Sequence, residues 1–115
     1  MRLLNKTKNR TITDNLIFLK TLSEKSKGLL HEKTPKPVYL KTRWGIHTFG
    51  MKFKIDCIVA DKNMVVKKIK NMRPNQVFFW NPKYNNIFEM PSGTINKYKI
   101  QVGDKLKIEK TAEDF

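Results

Sequence analysis

From Val38 onward, apolar and polar residues alternate with a period close to two. Successive side chains of a strand point to opposite faces, so this spacing predicts strands. Val38-Tyr39-Leu40 starts one, and Trp44 to Phe49 makes a second, bent at Gly45. In Lys52 to Ala60, the set Phe53, Ile55, Cys57 and Val59 shares one face, which places Cys57 in the core. Asp61-Lys62-Asn63 has the turn-tolerant composition of a hairpin loop that returns the chain through Met64 to Ile69. Gln76 to Trp80 forms a further strand, with Phe78 and Trp80 on one face and Phe79 on the other. After the turn at Asn81 to Asn85 comes Asn86 to Met90, ended by Pro91-Ser92-Gly93. Thr94 to Tyr98 is expected as a helical turn, Val102-Gly103-Asp104 as a tight reversal, and Leu106 with Ile108 as the inward face of a last strand.

The first third reads differently. Residues 1–9 are basic and lack acids, so they are expected as a mobile arm leading into a short strand at Arg10 to Thr13. Asp14 or Asn15 can cap a helix start and Gly28 can stop one; between them Leu16, Ile17, Phe18, Leu19 and Leu22 form an apolar side. His31 to Pro37 is polar with two prolines and reads as an exposed loop. The organisation predicted is one β-rich domain over residues 10–110 with a C-terminal tail at 111–115. Its class is mainly β with one short N-terminal helix, packed as a compact antiparallel β-sandwich or jelly-roll-like barrel.

Composition adds charge to this picture. Among 115 residues, 24 Lys plus Arg against 10 Asp plus Glu give a net charge of +14, a potential that attracts polyanions. Only four of the cations are Arg, the residue that reads guanine by a bidentate fork, so nonspecific electrostatic binding is the better version of a nucleic-acid reading. The 20 Lys accompany ten Asn and ten Ile, a set that adenine- and thymine-rich codons favour, so coding bias competes as the source of the charge. The cations concentrate modestly at Lys67, Lys68, Lys70 and Arg73, where a solvated face is the plain alternative. Arg43 with Trp44, and Trp80 near Lys83, are the candidates for stacking on bases, weighed against simple core filling. No apolar run is long enough to cross a bilayer, and the single Cys57 permits no internal disulfide, so a soluble cytoplasmic protein is expected.

The chemistry on offer is sparse. Asp56 and Glu89 each sit in an otherwise apolar strand, and a buried carboxylate needs charges or donors to compensate it. They are weak candidates for a hydrolytic acid–base pair, against a structural reading in which each accepts turn hydrogen bonds or pairs with a cation. Asp104, after Gly103, is a turn carboxylate. His47 as base and Cys57 as nucleophile is a pairing that alternation undermines, since Cys57 points inward. Neither metal-ligand spacing nor a glycine-rich phosphate cradle is present, so no metal and no cofactor are expected.

Four segments occur in a characteristic order: Lys27-Gly28-Leu29-Leu30, Ile46 to Asp56, Phe88 to Thr94, and Val102-Gly103-Asp104. Together they resemble the family catalogued as domain of unknown function 192, over about Asn9 to Ile108. The resemblance marks Gly28, Met51, Asp56, Glu89, Pro91, Gly93, Gly103 and Asp104 as motif positions. It implies a small, predominantly β domain of the sandwich or jelly-roll kind, and no established reaction. Lys54 stands where the family commonly has Pro, Leu30 where Met is frequent, and His31-Glu32 where an aromatic residue and Arg often follow. The function expected is a noncatalytic binding or structural module of unknown ligand; the alternatives are polyanion binding through a basic face and hydrolysis by Asp56 and Glu89.

Overall fold

A computed structural model describes residues 1–20, 36–43 and 45–114 of the chain. Within these residues ten strands run in the order β1 (Arg2–Asn5), β2 (Arg10–Thr13), β3 (Ile17–Leu19), β4 (Val38–Lys41), β5 (Gly45–His47), β6 (Ile55–Ala60), β7 (Val66–Met72), β8 (Val77–Phe79), β9 (Asn86–Pro91) and β10 (Leu106–Glu109). Among the described residues one short helix, α1 (Thr94–Tyr98), lies between β9 and β10, and a 3-10 turn follows at Ala112–Asp114.

The strands form three sheets. The largest has the order β3-β4-β9-β6-β7; β10-β1-β2 makes a second, and β5-β8 a two-stranded ribbon. All pairs are antiparallel except β3 with β4. The five-stranded sheet is the middle layer. Its Tyr39, Ile58, Phe88 and Met90 pack with Leu3, Ile12 and Leu106 from the small sheet. Its Val38, Cys57, Val59 and Ile87 pack on the opposite face with Met51 and Trp80, joined by Ile46 and Phe78 of the ribbon. This explains why every side chain of β6 is buried: an inner strand covered on both faces has no solvent side. The expected sandwich-like β architecture holds, and the sheets do not close into a barrel among the described residues.

Local chemistry builds these layers. Tyr39 lies between Phe18 and Phe88, with ring centroids 5.0 and 4.9 Å away, so three strands are joined by stacked aromatics. The predicted hairpin at Asp61-Lys62-Asn63 joins β6 to β7; the Asp61 carboxylate accepts hydrogen bonds from the Asn63 and Val65 backbone N–H groups. Ala60 pairs with Val66 and Val59 with Lys68, which makes Lys67 the extra residue of a bulge.

Two expectations are corrected. Residues 1–9 are not a loose arm: β1 is the middle strand of its sheet, with Leu3 and Asn5 fully buried. Leu3 supplies the apolar contact and Asn5 is satisfied by hydrogen bonds, so two buried positions in a polar stretch suffice. Ile17–Leu19 is a strand, not the start of a helix, because it gains backbone partners along β4. The rest of the predicted helix, its Gly28 stop, most of the proline-bearing loop, and Trp44 lie outside the described residues. The short helix that is described lies late in the chain, at the predicted helical turn Thr94 to Tyr98.

Candidate functional site

Asp56 and Glu89 stand one register step apart in the β6–β9 ladder, and so belong to opposite faces of the central sheet. Asp56 pairs with Met90 and Cys57 with Glu89. By strand alternation Asp56 points with Ile58 toward the small sheet, and Glu89 points with Ile87 toward the ribbon. The two carboxylates therefore do not converge on one cleft, which corrects the expectation of a hydrolytic pair.

Asp56 is saturated with donors. Its Oδ1 accepts from Asn71 Nδ2 at 2.7 Å, and its Oδ2 from the backbone N–H groups of Gly93 and Ile95 at 3.1 and 2.9 Å. It ties the turn after β9 to the central strand and serves the otherwise unpaired N–H groups at the start of α1. Gly93 adopts φ 96° there, a conformation that a Cβ disfavours. Asn71 also donates to Ser92 Oγ, and Thr94 Oγ1 donates to the Pro91 carbonyl, so Ser92 and Thr94 shape the same turn.

Glu89 has the contrary surroundings. Burial pushes its carboxyl up to about 7, and its Oε2 has no hydrogen-bond partner. The indole Nε1 of Trp80, another member of that apolar cluster, is likewise buried and unpartnered. Cys57 opposite Glu89 is fully buried; burial, then the negative charges of Glu89 and Asp56, push its thiol well up, against the pull of Lys70. His47 is exposed on the ribbon, and its Nδ1 accepts from the Phe49 backbone N–H, so this imidazole is not placed to activate that thiol.

Asp104 is built in as a clamp between distant segments. Its Oδ2 accepts from Lys8 Nζ at 2.6 Å, Asn5 Nδ2 at 2.8 Å and the Gln101 backbone at 2.9 Å. Burial opposes its ionisation, but these donors outweigh burial and hold the carboxyl below its ordinary value. Gly103 beside it has φ 97° and donates to the Val66 carbonyl, which anchors the reversal before β10.

The basic residues singled out from the sequence are spread over more than one face of β7. Lys68 and Lys70 share the side of Met72, whereas Lys67 occupies the bulge and lies 3.8 Å from Asp61. Lys70 rests over the Phe78 ring at 5.3 Å. Arg43 and Arg73 are exposed. Trp80 is buried, its ring edge-on to Phe78 at 5.4 Å, so it offers no face to a base. Among the described residues the strongly exposed aromatic rings are those of Phe79 and Phe49, not that of the stacking candidate Trp80. Alternation signalled Phe79, since it must point away from the inward-facing Phe78 and Trp80. A further pattern frames them: residues 33–55 and 62–88 contain no Asp or Glu, and these segments supply β4, β5, β7 and β8. Among the described residues no group of three or more His, Cys, Asp or Glu is arranged to hold a metal, and no helix is long and apolar enough to cross a membrane.

Three sheets in layers, a carboxylate-anchored turn and a buried glutamate define a small β-rich domain of sandwich-like architecture. The chain belongs to the DUF192 family, described as "Uncharacterized ACR", whose model matches residues 4–108. It is 25% identical to the UPF0127 protein PH1112 of Pyrococcus horikoshii over 112 residues, covering 91% of this chain and 96% of that one. Its fold is similar to that of a protein of unknown function from Novosphingobium aromaticivorans, with TM-score 0.80 at 15% identity, over 94% of this chain and 84% of the other. A crystal structure titled as a putative transcription regulator from Sinorhizobium meliloti matches with TM-score 0.75 at 15% identity, over 92% and 89% of the two chains.

Proposed function

We propose that this domain is a noncatalytic binding module for polyanions, acting through the basic surface contributed by the acid-free segments. The observation that carries this reading is the segregation of charge: residues 33–55 and 62–88 hold Arg43, Lys52, Lys54, Lys68 and Arg73, all exposed, and not one acid. A surplus of +14 alternating with acids along the chain would give a weak field everywhere; long acid-free stretches leave their exposed cations unopposed by neighbouring acids in sequence, which favours a phosphate or sulfate chain. The noncatalytic part is supported by Asp56, whose two oxygens accept three structural hydrogen bonds, and by Cys57, which is sealed from solvent. The lone buried thiol suits a reducing cytoplasmic setting.

Titration of the full chain with fluorescein-labelled heparin tests the reading. Affinity falls at least tenfold between about 50 and 200 mM salt, because each neutralised anion releases counterions. Lys68→Glu with Arg73→Glu weakens binding further while the melting temperature stays within a few degrees. Absence of binding at the lower salt, or unchanged affinity in the double variant, ends the proposal.

A further inference from the structure

The β5–β8 ribbon has two unlike faces. Ile46 and Phe78 pair across it and point into the core. The outer face carries Gly45 opposite Phe79 and His47 opposite Val77. Phe79 is 67% exposed, Val77 43% and the adjoining Phe49 51%, a cluster of large apolar side chains left in water. The rings of His47 and Phe49 stack at 5.2 Å with 29° between their planes. Phe79 lies close over Gly45: a Cβ there would stand 2.7 Å from Phe79 Cδ1 and 2.5 Å from the Phe78 carbonyl oxygen. The glycine thus gives the Phe79 ring its resting place on the strand.

We infer that this outer face is a stacking platform for single-stranded nucleic acid, with bases laid on Phe79 and on the His47–Phe49 pair while Arg43, Arg73 and Lys52 take the phosphates. The inference rests on the polyanion reading and narrows it. Exposed aromatic rings within an acid-free, basic region match the two parts of a nucleotide chain separately, π faces for bases and cations for phosphates. A sulfated polysaccharide uses the cations alone. A duplex keeps its bases stacked on each other and leaves the rings in water. A protein partner fitted to this patch would need its own acidic rim and an apolar centre, and a second copy would bring two basic surfaces together, which like-charge repulsion opposes.

The deciding experiment compares a fluorescein-labelled 15-mer of deoxythymidine, a duplex of equal length and heparin at one salt concentration, using the full chain. The single strand binds more tightly than the duplex, and Phe79→Ala lowers single-strand affinity about tenfold or more with heparin affinity unchanged. Phe79→Trp restores single-strand binding, because it keeps a π face. Far-UV circular dichroism confirms the fold of each variant, and Phe49→Ala provides an independent loss should Phe79→Ala unfold. Equal affinity for duplex and single strand, or retention of single-strand binding in both alanine variants, overturns the platform while leaving the polyanion reading standing. Loss of heparin binding by the unaltered chain removes both. Self-association that Phe79→Ala abolishes, without single-strand binding, assigns the face to a second copy and overturns the inference.

Discussion

Cys57 and Glu89 are cross-strand partners in the β6–β9 ladder, and both point into the apolar layer beneath the ribbon. Directly opposed residues hold their side chains within about 5 Å of each other at Cβ. Neither ionises comfortably there, because any charge on one raises the cost of charge on the other. The pair is therefore neutral ground in the core, and its titration is tied to stability.

The Glu89 carboxyl, raised from an ordinary 4.5 to about 7, sets a definite pH dependence. Below about pH 4.5 it is protonated in both folded and unfolded chains, and burial costs little. Between 4.5 and 7 the unfolded chain releases the proton first, so stability falls as pH rises. Above 7 the loss levels off at about 3 kcal/mol. Glu89→Gln is expected to be more stable than the unaltered chain at pH 8 and to lose this slope, measured by urea denaturation at pH 5, 6, 7 and 8. Identical slopes in both proteins would contradict the desolvation of a buried carboxyl.

Cys57 is fully buried and its thiol is pushed up by burial and by two carboxylates, so the native protein should resist thiol reagents. With a dithiobis(nitrobenzoate) reagent at pH 8, no thionitrobenzoate is released until denaturant is added. Rapid stoichiometric release from the folded chain would show that the sulfur reaches solvent.

Asp56 anchors the β9–α1 turn through two backbone donors and Asn71. Asp56→Ala leaves those N–H groups unsatisfied and is expected to cost about 3 kcal/mol in chemical denaturation. Asp56→Asn keeps one acceptor oxygen and costs less. Heparin affinity is expected to survive in both, since Asp56 faces away from the ribbon.

Leu3 is fully buried within the middle strand of the small sheet. Leu3→Ala is expected to destabilise the fold by about 3 kcal/mol through lost burial and the cavity left behind. A residue in a mobile arm would change stability by less than about 0.5 kcal/mol. Urea midpoints separate the two outcomes.

Asp104 behaves oppositely to Glu89. Its carboxyl is held below the ordinary 3.8 by Lys8, Asn5 and Gln101, despite burial. The stability it contributes is present above 3.8 and is lost as pH falls through its folded value. Lys8→Met is expected to raise the acid midpoint of unfolding, followed by tryptophan fluorescence.

Alternation along Ile55 to Val59 and the turn chemistry of Asp61-Lys62-Asn63 were enough to orient Cys57 inward and to place the β6–β7 hairpin, because both are local properties. The same reasoning separated Phe78 and Trp80 from Phe79, and it required that buried acids find partners. Which acid found them depended on pairing. Register puts Asp56 above a turn rich in N–H groups and Glu89 among aliphatic side chains, on opposite faces of one sheet. Ile17–Leu19 has an apolar run that suits a helix or a strand, and the nearby β4 edge made it a strand. Arg2–Asn5 carries little pattern of its own and becomes a central strand because β2 and β10 flank it. The sequence by itself determined the direction of side chains within each strand, since that follows from backbone geometry residue by residue. Only the tertiary structure decided which strands meet and which aromatic face stays in water, because those contacts join residues as far apart as Arg2 and Glu109, whose pairing leaves no local trace.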